Sequence, residues 1–175
     1  ESSRGRWPVL VEGEVWRSES AGVGRHLCDA DPAAGLAPAP GSAERAHFDR
    51  WLVWLTNTRQ ATLIVYFYPE RWVSKGDGAG AAALKAQAEA KVGPMLDQLD
   101  AELARQAQTH EQPWLLGADF SAVDVYTLML CRWTRNFASR PARSRDHLGP
   151  YLQRVLARPA VVRAFLAEEL ALPWV

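Results

Sequence analysis

Cysteine is scarce here: Cys28 and Cys131 are the only two among 175 residues. Two thiols so far apart build no disulfide framework, which points to a reducing cytoplasm. Their spacing fits no metal motif, so no bound metal is expected. Long apolar runs are also lacking. None approaches the roughly 20 residues of a membrane span, so a membrane partner is not expected. A charge excess of either sign is missing, since Lys+Arg and Asp+Glu both count 20. A balanced chain argues against a general nucleic-acid or acidic-membrane surface. Arg132, Arg135, Arg140, Arg143 and Arg145 come nearest to a basic patch, and they read as a solvated helix end and loop. The opening "ESSRGRW" has neither an initiator Met nor a signal-peptide pattern, so it reads as the interior of a longer protein.

Strand signals are few and confined to the start. Residues 9–12 and 14–16 read as two short strands around Gly13, with Pro8 at a strand start or an edge. A helix follows from about Ser18 to Cys28. The Pro- and Gly-rich "DADPAAGLAPAPGS" at 29–42 reads as an inter-domain linker.

Everything after it is helical in pattern. Phe48, Trp51, Leu52 and Leu55 form the stripe of an amphipathic helix that starts near Ser42 and ends before Pro69. "SKGDGAG", residues 74–80, reads as a flexible break. Val92, Met95, Leu96, Leu99 and Leu103 give the next stripe, with Gly93-Pro94 marking a kink or a fresh start. The segment Val123 to Trp133 is apolar on nearly all sides and belongs in the middle of a bundle, with Leu128, Met129 and Trp133 buried. Two more stripes follow, Leu148/Tyr151/Leu152/Val155 and Val162/Phe165/Leu166, with Pro159 opening the last helix. Cys131, inside the central helix, reads as an inert core thiol.

"FSAVD", residues 120–124, is the strongest local signal. Ser121 suits an N-cap. Asp124, three residues on, can reach back to the Ser121 N–H as a capping box, and Phe120 can staple onto Val125. A catalytic carboxylate at Asp124 is the competing reading, but capping already accounts for the residue.

Two stretches carry a resemblance. "WLLGADFSAVDVYTLMLCRW" resembles the central-helix signature of the glutathione transferase family. "WPVLVEGEVWRSESAG" resembles the second half of that family's thioredoxin-like domain, in which a strand begins at a cis-proline, a second strand follows, and a Glu/Gln-Ser pair opens a helix. The order Pro8, hairpin, Glu19-Ser20, helix, linker, helical domain covers nearly the whole chain. The resemblance therefore implies a mostly α protein: a partial thioredoxin-like domain at 1–29, a linker at 30–41, and an all-helical domain at 42–175. A lone hairpin is marginal in water, and the family's first strands and helices would add roughly fifty residues upstream of Glu1.

The function implied is a cytoplasmic, homodimeric, detoxifying transferase. It would bind glutathione as co-substrate and deliver the thiolate to a small apolar electrophile. By resemblance, Ser20 and its backbone N–H hold the γ-glutamyl carboxylate, Glu19 assists at the ammonium end, and Trp7, before Pro8, offers its backbone to the cysteinyl part. Local sequence alone allows Ser18 and Ser20 to be helix caps and Pro8 to be trans. Tyr66, Tyr68 and Trp72 are the candidates for the second-substrate pocket. The family's thiol-activating Tyr, Ser or Cys lies near the first strand, outside this sequence, so no catalytic residue is assigned. The alternatives are a non-catalytic interaction module of the same fold, or a thiol-transfer member with a Cys at that upstream position.

Overall fold

The computed structural model describes residues 8–175, so Trp7 and the geometry of the Trp7–Pro8 bond lie outside the described residues. Strands β1 (Val9–Glu12) and β2 (Val15–Ser18) pair antiparallel, with Val9 opposite Ser18 and Glu12 opposite Val15. Gly13 and Glu14 make the turn. The second strand sits one to two residues later than the pattern placed it, because the two-residue turn sets its start. Helix α1 (Ser20–Ala30) follows at once. Its end is fastened to the next helix by Arg45. That buried guanidinium meets both oxygens of Asp29, at 2.8 and 3.1 Å, and the Pro38 carbonyl at 3.1 Å.

From Ala43 to Phe67 the chain is one long helical rod with an altered middle. Helix α2 (Ala43–Val53) is capped by Ser42, whose hydroxyl accepts from the Arg45 N–H. A π-helical segment (Trp54–Gln60) follows, and then α3 (Ala61–Phe67). The predicted stripe Phe48, Trp51, Leu52, Leu55 is buried.

Helix α4 (Gly78–Gln106, 29 residues) corrects one expectation and narrows another. The break at 74–80 is already helical at Gly78, because the Asp77 carboxylate accepts from the Gly80 N–H and caps it. Of the two readings at Gly93-Pro94, a kink or a fresh start, the fresh start is excluded. Pro94 removes the N–H that would bond the Ala90 carbonyl, but the helix runs through, and the Gly93 carbonyl accepts from Arg145.

Helix α5 (Ala122–Arg132) lies at the centre, with Val123, Leu128, Leu130 and Cys131 buried. Met129 and Trp133 are only half-buried. Met129 lines an apolar groove, and the Trp133 ring meets Phe67 edge-on. The turn leading into α5 needs Gly117, whose φ of +118° brings Trp114 and Gly117 into a backbone bridge. Phe120 packs edge-on to Trp114 and lies under the Arg158 guanidinium, 3.6 Å from its ring centroid.

Helices α6 (Leu148–Leu156) and α7 (Pro159–Ala167) close the bundle. The Leu148/Tyr151/Leu152/Val155 stripe is buried. The last stripe is weaker than its pattern: Val162 and Phe165 are half-buried and Leu166 is 62% exposed. The start of α6 is capped from α4, where Asp100 accepts from the His147 and Leu148 N–H groups at 2.8 and 2.7 Å.

The basic cluster also divides. Arg145 is buried, donating to Asp97 and to the carbonyls of Gly93, Arg140 and Pro141. Arg132 is buried against the Trp174 carbonyl. These two are internal braces, and solvated-face reasoning missed them because Asp97 and Gly93 for Arg145, and Trp174 for Arg132, are remote in sequence. Among the described residues no helix is long and apolar enough to cross a membrane.

A close approach fixes one further position. A Cβ on Gly149, in the first turn of α6, would run into the backbone carbonyl of Arg143. Backbone cannot swing aside as a side chain can. Gly149→Ala should therefore cost about 1–3 kcal/mol in urea unfolding despite Ala's better helix propensity. A stabilised variant would show that the loop at 142–146 gives way freely.

Candidate functional site

Among the described residues two non-glycine residues, Glu19 and Glu169, take a positive φ, and Glu19 lies at the junction between β2 and α1. Glu19 sits at φ 71°, ψ 111°, a region that non-glycine residues rarely enter and that costs roughly 1–3 kcal/mol. Its side chain makes no capping bond to the helix it precedes. Such a conformation persists only when its surroundings enforce it. Here the hairpin holds one side, through β1–β2 pairing up to Ser18. The helix holds the other, through the Val23 N–H on the Glu19 carbonyl at 2.9 Å. The resulting corner leaves the first N–H groups of α1, from Ser20 onward, without intrahelical acceptors and at the positive end of the helix dipole. The half-buried Ser20 hydroxyl stands beside them.

A cleft of 550 Å³ opens in front of this corner. One wall is Glu19, Ser20 and Ala21. The other is the π-helical segment and the start of α3, with Thr56, Asn57, Gln60, Ala61 and Ile64, and Tyr126 of α5 also faces the cleft. The π segment matters because its wider turn shifts the register of the rod; the Ala61 N–H bonds the Thr56 carbonyl five residues back. Single π turns of this kind recur at functional sites. Tyr126 donates its hydroxyl to Gln60 Oε1 at 2.5 Å. Burial, and then the nearby Glu19 charge, push the Tyr126 phenol up, so it stays a protonated donor at neutral pH. A second, apolar groove of 330 Å³ adjoins the same corner. Ser20, Ala21 and Tyr126 border both, with Leu27, Phe48, Val125 and Met129 among its apolar walls.

Of the residues singled out in the sequence, Glu19 and Ser20 are brought together at the cleft. Pro8 lies exposed just ahead of β1, and Trp7 is outside the described residues. Tyr66, Tyr68 and Trp72 do not join them. Tyr66 is in the core, its ring 4.6 Å from that of Phe137. Tyr68 is 42% exposed beneath Arg71. Trp72 borders a separate groove of 590 Å³ between α3 and α4. That groove is the larger one but holds neither a helix start nor a strained corner. It shares Asn57, Ala61 and Ile64 with the cleft across the rod. Thr56, Asn57, Gln60 and Tyr126 were not found from sequence. The usable signal was a run of polar residues directly after a buried stripe.

Asp124 lies elsewhere. It is fully buried and accepts from the Ser121 N–H at 2.7 Å, completing the expected capping box. It also accepts from the Leu115 N–H and the Tyr151 hydroxyl. Burial raises its pKa, against the pull of these donors. With no opening onto the cleft, it is a structural group.

Residues 55–159 match the family described as glutathione S-transferase, C-terminal domain. The uncharacterized GST-like protein YncG of Escherichia coli is 28% identical over 125 residues, 71% of this chain. The match spans only 55% of YncG, slightly over half of that protein's length. Glutathione S-transferase GST-4.5 of Xanthomonas campestris is 24% identical over 95% of this chain and 77% of its own. Among solved structures, a sphingomonad glutathione S-transferase complexed with glutathione superposes with a TM-score of 0.79 at 27% identity. It covers 97% of this chain and 77% of that one. The match over residues 55–159 places the chain in the glutathione S-transferase family.

Proposed function

We propose that this chain is the larger part of a glutathione transferase that binds glutathione at the Glu19–Ser20 corner and presents its thiolate to an electrophile in the adjoining cleft. The observation that carries this reading is the strained Glu19 backbone set against a free helix N-terminus. Glutathione has two carboxylates and one ammonium group. The α1 N–H groups and the Ser20 hydroxyl are donors for a carboxylate, favoured further by the helix dipole. The neighbouring Glu19 carboxylate suits the ammonium. The residues present therefore fit both ends of a γ-glutamyl group, and Trp7 with Pro8 would meet the cysteinyl part.

Bound glutathione supplies the nucleophilic sulfur. The chain's own contribution is to orient the tripeptide and to hold the electrophile between α1 and the rod at 43–67. No residue of this chain is assigned to thiol activation. The same reading makes the protein a cytoplasmic homodimer that acts in detoxification, with Trp72 belonging to the groove behind the rod.

The test is the affinity of the intact protein for glutathione by calorimetry. Ser20→Ala removes a hydrogen bond to a charged group, worth about 1.5–3 kcal/mol. The dissociation constant should rise roughly tenfold to a hundredfold. Ser18→Ala, on the exposed strand end, should leave it unchanged. Equal affinities for wild type and Ser20→Ala would overturn the site.

A further inference from the structure

The hairpin and α1 are two arms that meet at Glu19, and little holds them at that angle. No residue from Val9 to Ser18 is buried, so apolar packing fixes the hairpin only weakly. Among the described residues, one side-chain hydrogen bond joins the arms: His26, in the second turn of α1, meets Glu12 Oε2 at 2.7 Å. An ionised carboxylate can only accept, so His26 Nε2 is the donor. The same oxygen accepts from Arg17 Nη1 at 2.5 Å. The register pairs Leu10 with Arg17 and Glu12 with Val15, which puts Glu12 and Arg17 on one face as diagonal neighbours. Arg17 therefore steadies the carboxylate from the strand, and His26 ties it to the helix. Glu12 lies seven residues before the corner and His26 seven after it. The bond is the third side of a triangle whose vertex is Glu19.

All three side chains reach the surface, where such a bond is weak by itself. Here it opposes a specific strain. Glu19 would relax to a negative φ if the arms could swing, and a swing about Glu19 separates Glu12 from His26. We infer that Glu12 and His26 form a latch that keeps the Glu19 corner in its strained conformation, which makes both of them positioning residues for the glutathione site. The latch stands on its own geometry, while its bearing on ligand binding rests on the glutathione reading. Neither side chain lines the cleft, so each acts through Glu19 and without touching the ligand.

One readout needs no ligand. The Val23 N–H bonds the Glu19 carbonyl at 2.9 Å, so its hydrogen exchange reports whether the corner is closed. By NMR on the intact protein, Val23 exchange should quicken roughly twofold to fivefold in Glu12→Ala and in His26→Leu. The Asp31 N–H, on the Leu27 carbonyl at the far end of α1, should be unchanged. His26→Gln keeps a side-chain N–H donor and should restore part of the protection. Arg17→Leu breaks a bond within the hairpin alone and should have the smallest effect. Glu19→Gly supplies the decisive background: glycine enters positive φ without the Cβ penalty, so the latch has no strain to oppose. In that background Glu12→Ala should leave Val23 exchange unchanged. Saturating glutathione should slow Val23 exchange in wild type and in Glu12→Ala, because the ligand needs the closed corner.

Unchanged Val23 exchange in Glu12→Ala or His26→Leu, equal acceleration at Asp31, an Arg17→Leu effect as large as that of His26→Leu, or an acceleration that persists in Glu19→Gly would overturn the latch. Exchange that bound glutathione does not slow would overturn the positioning role and leave the latch standing. Failure of wild type to bind glutathione in calorimetry would overturn the glutathione reading and the positioning role with it, while Val23 exchange still decides the latch.

Discussion

Asp124→Ala should destabilise the protein by about 3–5 kcal/mol, the range for opening a buried charge-stabilised network. The reason is the number of groups that depend on one carboxylate. Oδ1 accepts from the Leu115 N–H at 2.9 Å and the Tyr151 hydroxyl at 2.7 Å. Oδ2 accepts from the Ser121 N–H at 2.7 Å and the Ser121 hydroxyl at 3.1 Å. The turn before α5, the start of α5 and the face of α6 are thus joined at a point with no solvent exposure. Alanine leaves these donors buried and unpaired. Ser121→Ala is the graded control: it removes one hydroxyl and should cost about 1 kcal/mol, a typical cap value. Asp124→Asn keeps the shape and should fall between the two in urea melts. Glutathione affinity of the folded fraction should be unchanged in all three, since none of the lost contacts faces the cleft. Full stability with lost binding would make Asp124 a site residue.

The same carboxyl gives a pH signature. Burial raises its native pKa above the unfolded value, with the four donors opposing. A carboxyl that binds its proton more tightly in the native state makes stability fall as pH rises from the ordinary carboxylate value through the elevated native one. The stability difference, wild type minus Asp124→Asn, should therefore shrink with rising pH across that window. A difference that grows instead would mean that the donors outweigh burial.

Asp124 also marks the boundary of what the sequence made readable. Its capping role was legible because Ser121 and Asp124 are three residues apart and the geometry of a helix start is local. Its bonds to Leu115 and Tyr151 were not, since those partners lie 9 and 27 residues away and only packing brings them close. The amphipathic stripes were read correctly where burial is one-sided, as at Phe48–Leu55 and Leu148–Val155. The break signals misled at Gly78, where the Asp77 carboxylate caps the helix, and at Pro94, where α4 runs on through. At the candidate site, Glu19 and Ser20 were found through family order. The strain at Glu19 was invisible, because nothing in its side chain demands a positive φ. The polar cleft wall was missed for another reason: Thr56, Asn57 and Gln60 look like a solvated helix face until a π-helical turn aims them at α1.

Arg59 is the charged residue that should have drawn notice on that rod. It continues the buried stripe of Phe48, Trp51, Leu52 and Leu55 and is fully buried. Its Nη2 donates to Cys131 Sγ at 3.2 Å, while Nε and Nη1 find no partner among the described residues. Burial pushes the Cys131 thiol up, and the guanidinium only partly offsets that. The result is a buried cation whose sole partner is a weak sulfur acceptor, close to the worst arrangement for a charge in a core. Two opposite results should follow. Cys131→Ala removes the partner and leaves the charge, and should cost about 3–5 kcal/mol, well above the loss expected for one small side chain. Arg59→Leu removes the charge and leaves an ordinary core thiol, and should be neutral or stabilising. The double variant Arg59→Leu/Cys131→Leu replaces the pair with apolar groups and should match or exceed wild type, by up to about 4 kcal/mol. Urea unfolding of wild type, Cys131→Ala, Arg59→Leu and Arg59→Leu/Cys131→Ala closes a cycle and isolates the coupling between the two sites. A strongly destabilised Arg59→Leu would mean that buried water satisfies the guanidinium and that Arg59 anchors the π-helical segment. An additive cycle would mean that the contact to Cys131 carries no energy at all.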